Sequence, residues 1–386
     1  MSAMRLPVGI LFVVLVLKTC TLAMAQDVVQ PSDPTAPAPA QQGSTAPSVT
    51  KSQDDGFAGC CRLSCNPCPC VYGQIEALFM RQDPQFVHQP IAVDPIAGKT
   101  YLSTSDLNFN FDPGMRATAG MRLCGDRALE FTYFGIFDGT ASAVVAKPGG
   151  GLDFPIPSSR NAFHDMDRVQ TDYSSWMHSF EVNLPCCCGC CEECGCAEAG
   201  EECGCDQHRG ECGRGEVRCR SFEWFAGFRY LDLGEDFDIS TQRTVSGGVE
   251  DGAYNIRTTN QLFGAQLGAR VRRTWGRFGW EATSKAGIFG NAARENQTVT
   301  DFPGYVFRTV SSSRGGVAFV GEANLSALYR LTDVWNLRAG YTVMSISGLA
   351  LAPDQLDFAF SAPPSGMSSN GSMFLHGANL GLEARW

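Results

Sequence analysis

Met373-Phe-Leu-His-Gly-Ala-Asn-Leu-Gly-Leu-Glu-Ala-Arg-Trp386 closes the chain, and its reading decides the fold. Phe374, Ala378, Leu380, Leu382, Ala384 and Trp386 share one parity; Asn379, Gly381, Glu383 and Arg385 share the other. A period of two is that of a β-strand, whose successive side chains point to opposite faces. In a soluble strand the apolar face would meet a core. In a membrane strand the faces exchange meaning: Leu380, Leu382 and Trp386 meet lipid, while Glu383 and Arg385 meet a polar lumen. One strand fits both readings, so the number of strands and the lengths of their connections must decide.

Working outward from this stretch, the same two-sided pattern recurs in Trp335–Met344, Val317–Leu331, Gly279–Phe289, Asn260–Arg272, Ser221–Leu231, Ser175–Leu184, Ala128–Phe137, Met115–Leu123 and Val71–Arg81. Met115–Leu123 is the clearest, with Ala117, Ala119, Met121 and Leu123 opposite Arg116, Thr118, Gly120 and Arg122. Short connections at Gly125–Arg127, Thr274–Arg277 and Thr332–Val334 alternate with long ones at Gln82–Gly114, Asp138–Ser174, Asp232–Thr259, Gly290–Gly316 and Ser345–Ser372. Short periplasmic turns alternating with longer extracellular loops are the rule of outer-membrane barrels, whereas a soluble sandwich has no reason to alternate. Hydrocarbon offers no partner for a free N–H or C=O, so a membrane sheet must close, the first strand pairing with the last. The expected fold is all-β: a transmembrane antiparallel up-and-down β-barrel of about ten strands with a cysteine-rich periplasmic insertion.

The N-terminal end supplies a route of export. Arg5, an apolar run from Val8 to Leu17 and the small residues Ala23 and Ala25 read as a signal peptide over residues 1–25, cleaved after Ala25 and too short to span a bilayer. Residues 26–59 are rich in Pro, Ala, Ser, Thr and Gln, which makes them a disordered leader. A cysteine-rich periplasmic segment is expected over residues 60–70 and the barrel over 71–386, with a cysteine-rich insertion at 185–220. A formal net charge of −10 argues against a nucleic-acid partner.

The wording of several strands is also informative. Phe222-Glu-Trp-Phe-Ala-Gly-Phe-Arg-Tyr-Leu-Asp-Leu, Asn260-Gln-Leu-Phe-Gly-Ala-Gln-Leu-Gly-Ala-Arg, Ala327-Leu-Tyr-Arg-Leu-Thr-Asp and Leu337-Arg-Ala-Gly-Tyr resemble the planctomycete outer-membrane β-barrel family, itself similar to the Legionella-type pore-forming outer-membrane proteins. The resemblance runs from about Tyr72 to Trp386 and implies an outer-membrane location and pore formation, without naming a solute. Trp386, with Leu380 and Leu382, resembles the closing-strand signal that barrel-assembly machinery recognises. The expected partners are therefore outer-membrane lipid, that machinery and, through disulfides, other envelope proteins.

Charge collects on the inward parity: Glu76, Glu130, Glu181, Glu223, Glu281, Glu322 and Glu383, with Arg116, Arg122, Arg229, Arg270, Lys285, Arg338 and Arg385. In a narrow lumen these residues form either a structural ladder of ion pairs or the lining of a selective pore. Eighteen cysteines are the other unusual feature, with Cys20 in the signal peptide. The remaining Cys60, Cys61, Cys65, Cys68, Cys70, Cys124, Cys186, Cys187, Cys188, Cys190, Cys191, Cys194, Cys196, Cys203, Cys205, Cys212 and Cys219 all fall on the side assigned to short turns. An oxidising compartment favours disulfides; soft-metal binding is the rival, although no zinc-ribbon spacing stands out and no metal centre is assigned. His88 and His164, near Asp83, Asp94, Asp165 and Asp167, are the only loop histidines that suggest a catalytic dyad, and loop histidines among carboxylates are more often simply solvated. With no nucleophile elbow and no phosphate-cradling loop, the chain is expected to be neither an enzyme nor a cofactor protein. Two functions fit: a small, weakly selective pore for ions or small solutes with a cysteine-rich periplasmic face, or a structural envelope protein with a plugged barrel, disulfide-linked to other envelope components.

Overall fold

The computed structural model describes residues 71–123, 127–156, 161–192, 218–360 and 366–385. The signal peptide with Ala25, the leader, Cys60–Cys70, Cys124, Cys194–Cys212 and Trp386 lie outside the described residues. Among the described residues no helix is long and apolar enough to cross a membrane.

Ten strands form one closed antiparallel barrel: β1 (Val71–Gln85), β4 (Phe111–Arg122), β5 (Ala128–Ala146), β6 (Arg168–Glu192), β7 (Arg218–Val245), β8 (Gly248–Trp275), β9 (Phe278–Asp301), β10 (Tyr305–Arg330), β11 (Trp335–Leu349) and β12 (Gly371–Arg385). Each strand pairs with its neighbour in the barrel order, and β1 pairs with β12 from Tyr72↔Arg385 to Gln85↔Ser372. At this seam Ile75 faces Leu382 and Ala77 faces Leu380, so the outward apolar parity runs unbroken across the closure. Closure leaves no strand edge, as burial in hydrocarbon demands.

The outer wall carries exposed Ile75, Phe79, Phe228, Leu267, Ile288, Leu325 and Leu380, the belt that meets lipid. Aromatic side chains rim it at both ends: Trp275, Phe278 and Trp335 beside the short turns, Phe111, Phe137 and Phe374 towards the other end. Such girdles sit where headgroups meet acyl chains. The Gly276–Arg277 turn joins β8 to β9 in two residues, and Gly276 takes φ 58°, the left-handed geometry that such tight hairpins require.

Two expectations about connections need correction. Asp232–Thr259 and Gly290–Gly316 are not long loops but continuations of β7 to β10, which meet at tight turns after Val245 and after Asp301. Above the lipid belt the pattern inverts: Phe237, Ile239, Tyr254 and Ile256 face inward and are buried, while Asp236, Asp238 and Arg257 face outward. Water outside and a core inside is the soluble sense of the same two-residue period. The cysteine insertion is also narrower than expected, because β6 runs on to Glu192 and β7 begins at Arg218.

Three segments fold over the tall end. Residues 86–110 carry the hairpin of β2 (Pro90–Asp94) and β3 (Lys99–Ser103); residues 147–156 with 161–167, and residues 350–360, complete the cover. They bury Ile91, Leu102, Phe109, Phe154, Phe163, Leu356 and Phe358 together with inward Tyr173, Phe237, Tyr254 and Val299 of the strands.

Candidate functional site: the barrel interior

Nearest the short turns, the interior holds a network of six cations and seven carboxylates. Arg338 on β11 bonds Glu383 at 2.7 Å, Glu281 at 2.8 Å and Glu76 at 3.4 Å. Arg272 on β8 bonds Glu383 at 2.8 Å and Glu281 at 3.4 Å. Arg116 reaches Glu322 at 2.9 Å and Glu76 at 3.3 Å. Glu322 also accepts from Arg229 at 2.9 Å and Lys285 at 3.1 Å. Glu181 is shared by Lys285 at 2.9 Å and Arg229 at 3.5 Å, and Arg270 bonds Glu130 and Glu223 at 3.0 Å each. Arg116 and Glu322 sit on β4 and β10, Glu130 and Arg270 on β5 and β8, Arg272 and Glu383 on β8 and β12, none of which are neighbours in the sheet. These bonds are therefore chords across the lumen.

Neutral side chains occupy the remaining valences. Asn379 donates to Glu76 at 2.9 Å, Gln266 to Glu181 at 2.8 Å, and Tyr72 to Glu130 at 2.7 Å. Arg229 also donates to Ser179 at 2.8 Å and is 0% exposed. Burial on this scale requires that every charge be paired, because an uncompensated ion away from water costs several kcal/mol.

Above the charges the inward parity turns apolar. Leu78, Met80, Phe134, Ile136, Met177, Leu231, Leu233, Leu262, Phe289, Met344, Ile346, Met373 and Leu375 form a continuous buried layer that also takes in Leu349 and Leu351. Above it again, the 350–360 segment is fastened to the tall wall. Asn260 pairs with the backbone of Ala350, donating to its carbonyl at 2.9 Å and accepting its N–H at 2.8 Å. Glu235 accepts the Ala352 N–H at 2.7 Å and the Tyr173 hydroxyl at 2.8 Å. Gln297 donates to the Gln355 carbonyl at 2.9 Å, and Arg308 to the Asp357 carboxylate at 2.8 Å. Glu235 lies above the belt, and burial pushes its carboxyl up to about 7.

Of the residues singled out from sequence, Glu76, Glu130, Glu181, Glu223, Glu281, Glu322, Glu383, Arg116, Arg229, Arg270, Lys285 and Arg338 meet in the network. Arg385 is at its margin, bonded to Glu383. Arg122 is half-buried and makes no ion pair among the described residues. Leu380 and Leu382 are exposed on the outer wall. Asn379, on the polar parity of the closing strand, joins the network as well, as do Arg272 and Gln266, which share the parity of Arg270, and Tyr72, which shares that of Glu76. Cys186, one of the disulfide candidates, has no sulfur partner among the described residues; its strand neighbours are Trp224 and Arg127. The backbones of Cys187, Cys188, Cys190 and Cys191 lie on β6, and Cys191 stands opposite Cys219 on β7.

Of the two loop histidines, one pairs with a carboxylate and one does not among the described residues. His164 meets Asp153 at 3.0 Å instead of Asp165 or Asp167, and His88 is exposed. Asp83 meets His376 on the outer wall at 3.2 Å. Asp94 bonds Lys147 at 2.8 Å, and that ammonium, with the Ala97 N–H, holds its carboxyl down at about 2. A cleft of about 410 Å³ lies outside the lumen, against the outer face of β5 to β7, beside Asp172, Asp236 and Asp238. Among the described residues no group of three or more His, Cys, Asp or Glu converges as a metal site.

Among solved structures, the chain is similar to the outer membrane protease OmpT from Escherichia coli, at 10% identity over 84% of this chain and 99% of that one, with a TM-score of 0.45. It also matches a Pseudomonas aeruginosa FadL homologue at 7% identity, 82% and 90% coverage and a TM-score of 0.23. An anion-selective porin from Comamonas acidovorans matches at 8% identity, 82% and 98% coverage and a TM-score of 0.13. No curated protein matches the chain. The expectation that the chain is not an enzyme is corrected by the match to a protease, which removes the exclusion; at 10% identity the likeness is one of fold and assigns no activity. Residues 98–386, the greater part of the barrel, match the family described as "Putative beta barrel porin-7 (BBP7)", and the chain belongs to this family of outer-membrane β-barrels.

Proposed function

We propose that this outer-membrane barrel is closed across its lumen and serves the envelope as a structural element, its cysteine-rich periplasmic face linking it to other envelope components. The observation that carries the reading is dryness: Arg229, a guanidinium in mid-lumen, is 0% exposed, and the apolar layer above it is buried on every strand that contributes to it. A water-filled conduit would leave lumen charges wet, and an apolar constriction of this kind excludes ions by dewetting. The family description contains the word porin, and the small weakly selective pore is the competing reading. Ten strands lie near the small end of the barrel series, where side chains fill the interior.

The finer points belong to the same proposal and rest on the sequence: export by a cleaved signal, recognition of the closing strand by assembly machinery, the planctomycete and Legionella-type likeness, and disulfide attachment through the cysteines outside the described residues. The test is electrical. Purified, heat-modifiable barrel reconstituted in planar bilayers is expected to stay silent, and discrete conductance steps in the untreated protein would overturn the closed-barrel reading.

A further inference from the structure

Every carboxylate of the charged layer meets an arginine or lysine, and Glu235 and Glu295 above it are held by neutral donors; one further inward acid has neither kind of partner at one of its oxygens. Asp112, the second residue of β4, is 9% exposed, and its Oδ2 is buried with no hydrogen-bond or ion-pair partner among the described residues. Gln82 on the adjacent β1 is 0% exposed, and neither its Nε2 nor its Oε1 finds a partner. Both side chains point to one place. A Cβ built on Gly139 of β5 would lie 2.8 Å from Gln82 Nε2 and 2.9 Å from Asp112 Oδ2, so both polar atoms come up against the bare backbone of that glycine. The strand partner of Gly139 is Ser175 on β6, whose buried Oγ is also without a partner. Gln82, Asp112 and the Phe109 ring thus meet at Gly139, with Ser175 directly across the strand pair from it.

Unpartnered buried polar groups are uncommon in folded proteins, and each one left so is destabilising, a charge most of all. Three of them gathered at one glycine indicate a bound guest. The guest's charge follows from Asp112 itself, a buried carboxylate with no cation beside it among the described residues, and from Asp138, which precedes Gly139. Water would hydrate Asp112 without neutralising it. The available donor atoms are a carboxylate, an amide carbonyl once the Gln82 amide turns, and a hydroxyl. That is an all-oxygen set, which suits hard cations rather than thiophilic ones. With Glu235 already accepting three hydrogen bonds, one carboxylate is left to balance, and it balances a single charge.

We propose that Asp112, Gln82 and Ser175, gathered around Gly139, form a binding site for one alkali cation inside the extracellular mouth of the barrel. The residual exposure of Asp112 gives the ion its way in from outside. Seated there, the cation joins β6 to β1 and β4, with neither of which the sheet pairs it, and so braces these strands against one another.

The test is thermal unfolding of the full-length barrel in detergent, followed by gel mobility, in sodium or potassium chloride against choline chloride at equal ionic strength. The wild type is expected to show a saturable rise in its midpoint with sodium or potassium and none with choline. Asp112→Asn, which removes the charge without removing volume, is expected to fold and to weaken the apparent affinity by at least about tenfold, or 1.4 kcal/mol; Ser175→Ala is expected to weaken it less. An equal response to choline overturns the proposal, because it would mean screening alone. So does an unchanged response in both variants, no response in the wild type (water as the only guest), or a response to calcium alone, which would refute the single charge.

Discussion

Replacing Arg338 by methionine distinguishes a dry lumen from a wet one. The guanidinium is 3% exposed and is the common partner of Glu281, Glu383 and Glu76. Its loss leaves Glu281 and Glu383 dependent on Arg272, whose bonds to them are 3.4 and 2.8 Å, and leaves Glu76 with Arg116 at 3.3 Å. Breaking a buried pair by removing one partner costs about 3 to 5 kcal/mol, because a desolvated charge remains. In a water-filled pore the same pairs would be screened, and the loss would be about 1 kcal/mol or less. Arg122→Met is the control: same residue type, same strand parity, no ion pair among the described residues, and an expected change within about 0.5 kcal/mol. Adding Glu383→Gln to Arg338→Met is expected to recover part of the loss, since one fewer carboxylate is stranded. Urea unfolding in lipid vesicles, read by tryptophan fluorescence, measures all three. Losses for Arg338→Met no larger than those for Arg122→Met would refute the dry network.

Glu235 gives a pH prediction. Its carboxyl is raised from the ordinary 4.5 to about 7, so between those values the folded protein holds a proton that an unfolded chain has released. Stability is therefore fully present below about 4.5 and falls as pH rises towards and through 7, by about 3 kcal/mol in all. The Ala352 amide is expected to lose hydrogen-exchange protection across that window after correction for intrinsic rates, and Glu235→Gln to remove the dependence; a pH-independent profile in the wild type would contradict it. Leu380→Arg places a guanidinium on the lipid face, where Leu380 is 53% exposed, and is expected to cost about 2 to 4 kcal/mol in the vesicle unfolding assay. Wild-type stability in that variant would mean that the faces are misassigned.

The outer wall was legible because lipid imposes a single requirement, and residues such as Leu267, Leu325 and Leu380 meet it at every second position. The seam followed from the same requirement, since no strand edge survives in hydrocarbon. Two things escaped for physical reasons. The inward apolar layer lies where both parities are apolar, as in Ala77-Leu78-Phe79-Met80, and a search for one polar and one apolar face passes over such a run. The tall strands escaped because the sense of the pattern reverses at the edge of the bilayer: Phe237 and Ile239 point inward, whereas Phe222 and Phe228 point to lipid. The chord pairs within the network were not legible at all. Alternation gives the face of a residue, but only the closed three-dimensional ring tells Arg116 of β4 that its partner is Glu322 of β10.

The rim of the barrel is uneven. β7 to β10 continue about ten residues past the belt, roughly 25 to 35 Å along the strands, while β1, β11 and β12 stop near it. A neighbour diffusing in the same leaflet therefore meets a tall palisade on one side and a low sill on the other. Over the sill, residues 350–360 leave β11 and are fastened to the tall wall through Asn260, Glu235, Gln297 and Arg308. The molecule has, in effect, a front and a back in the plane of the membrane, and contacts made around its circumference are not interchangeable.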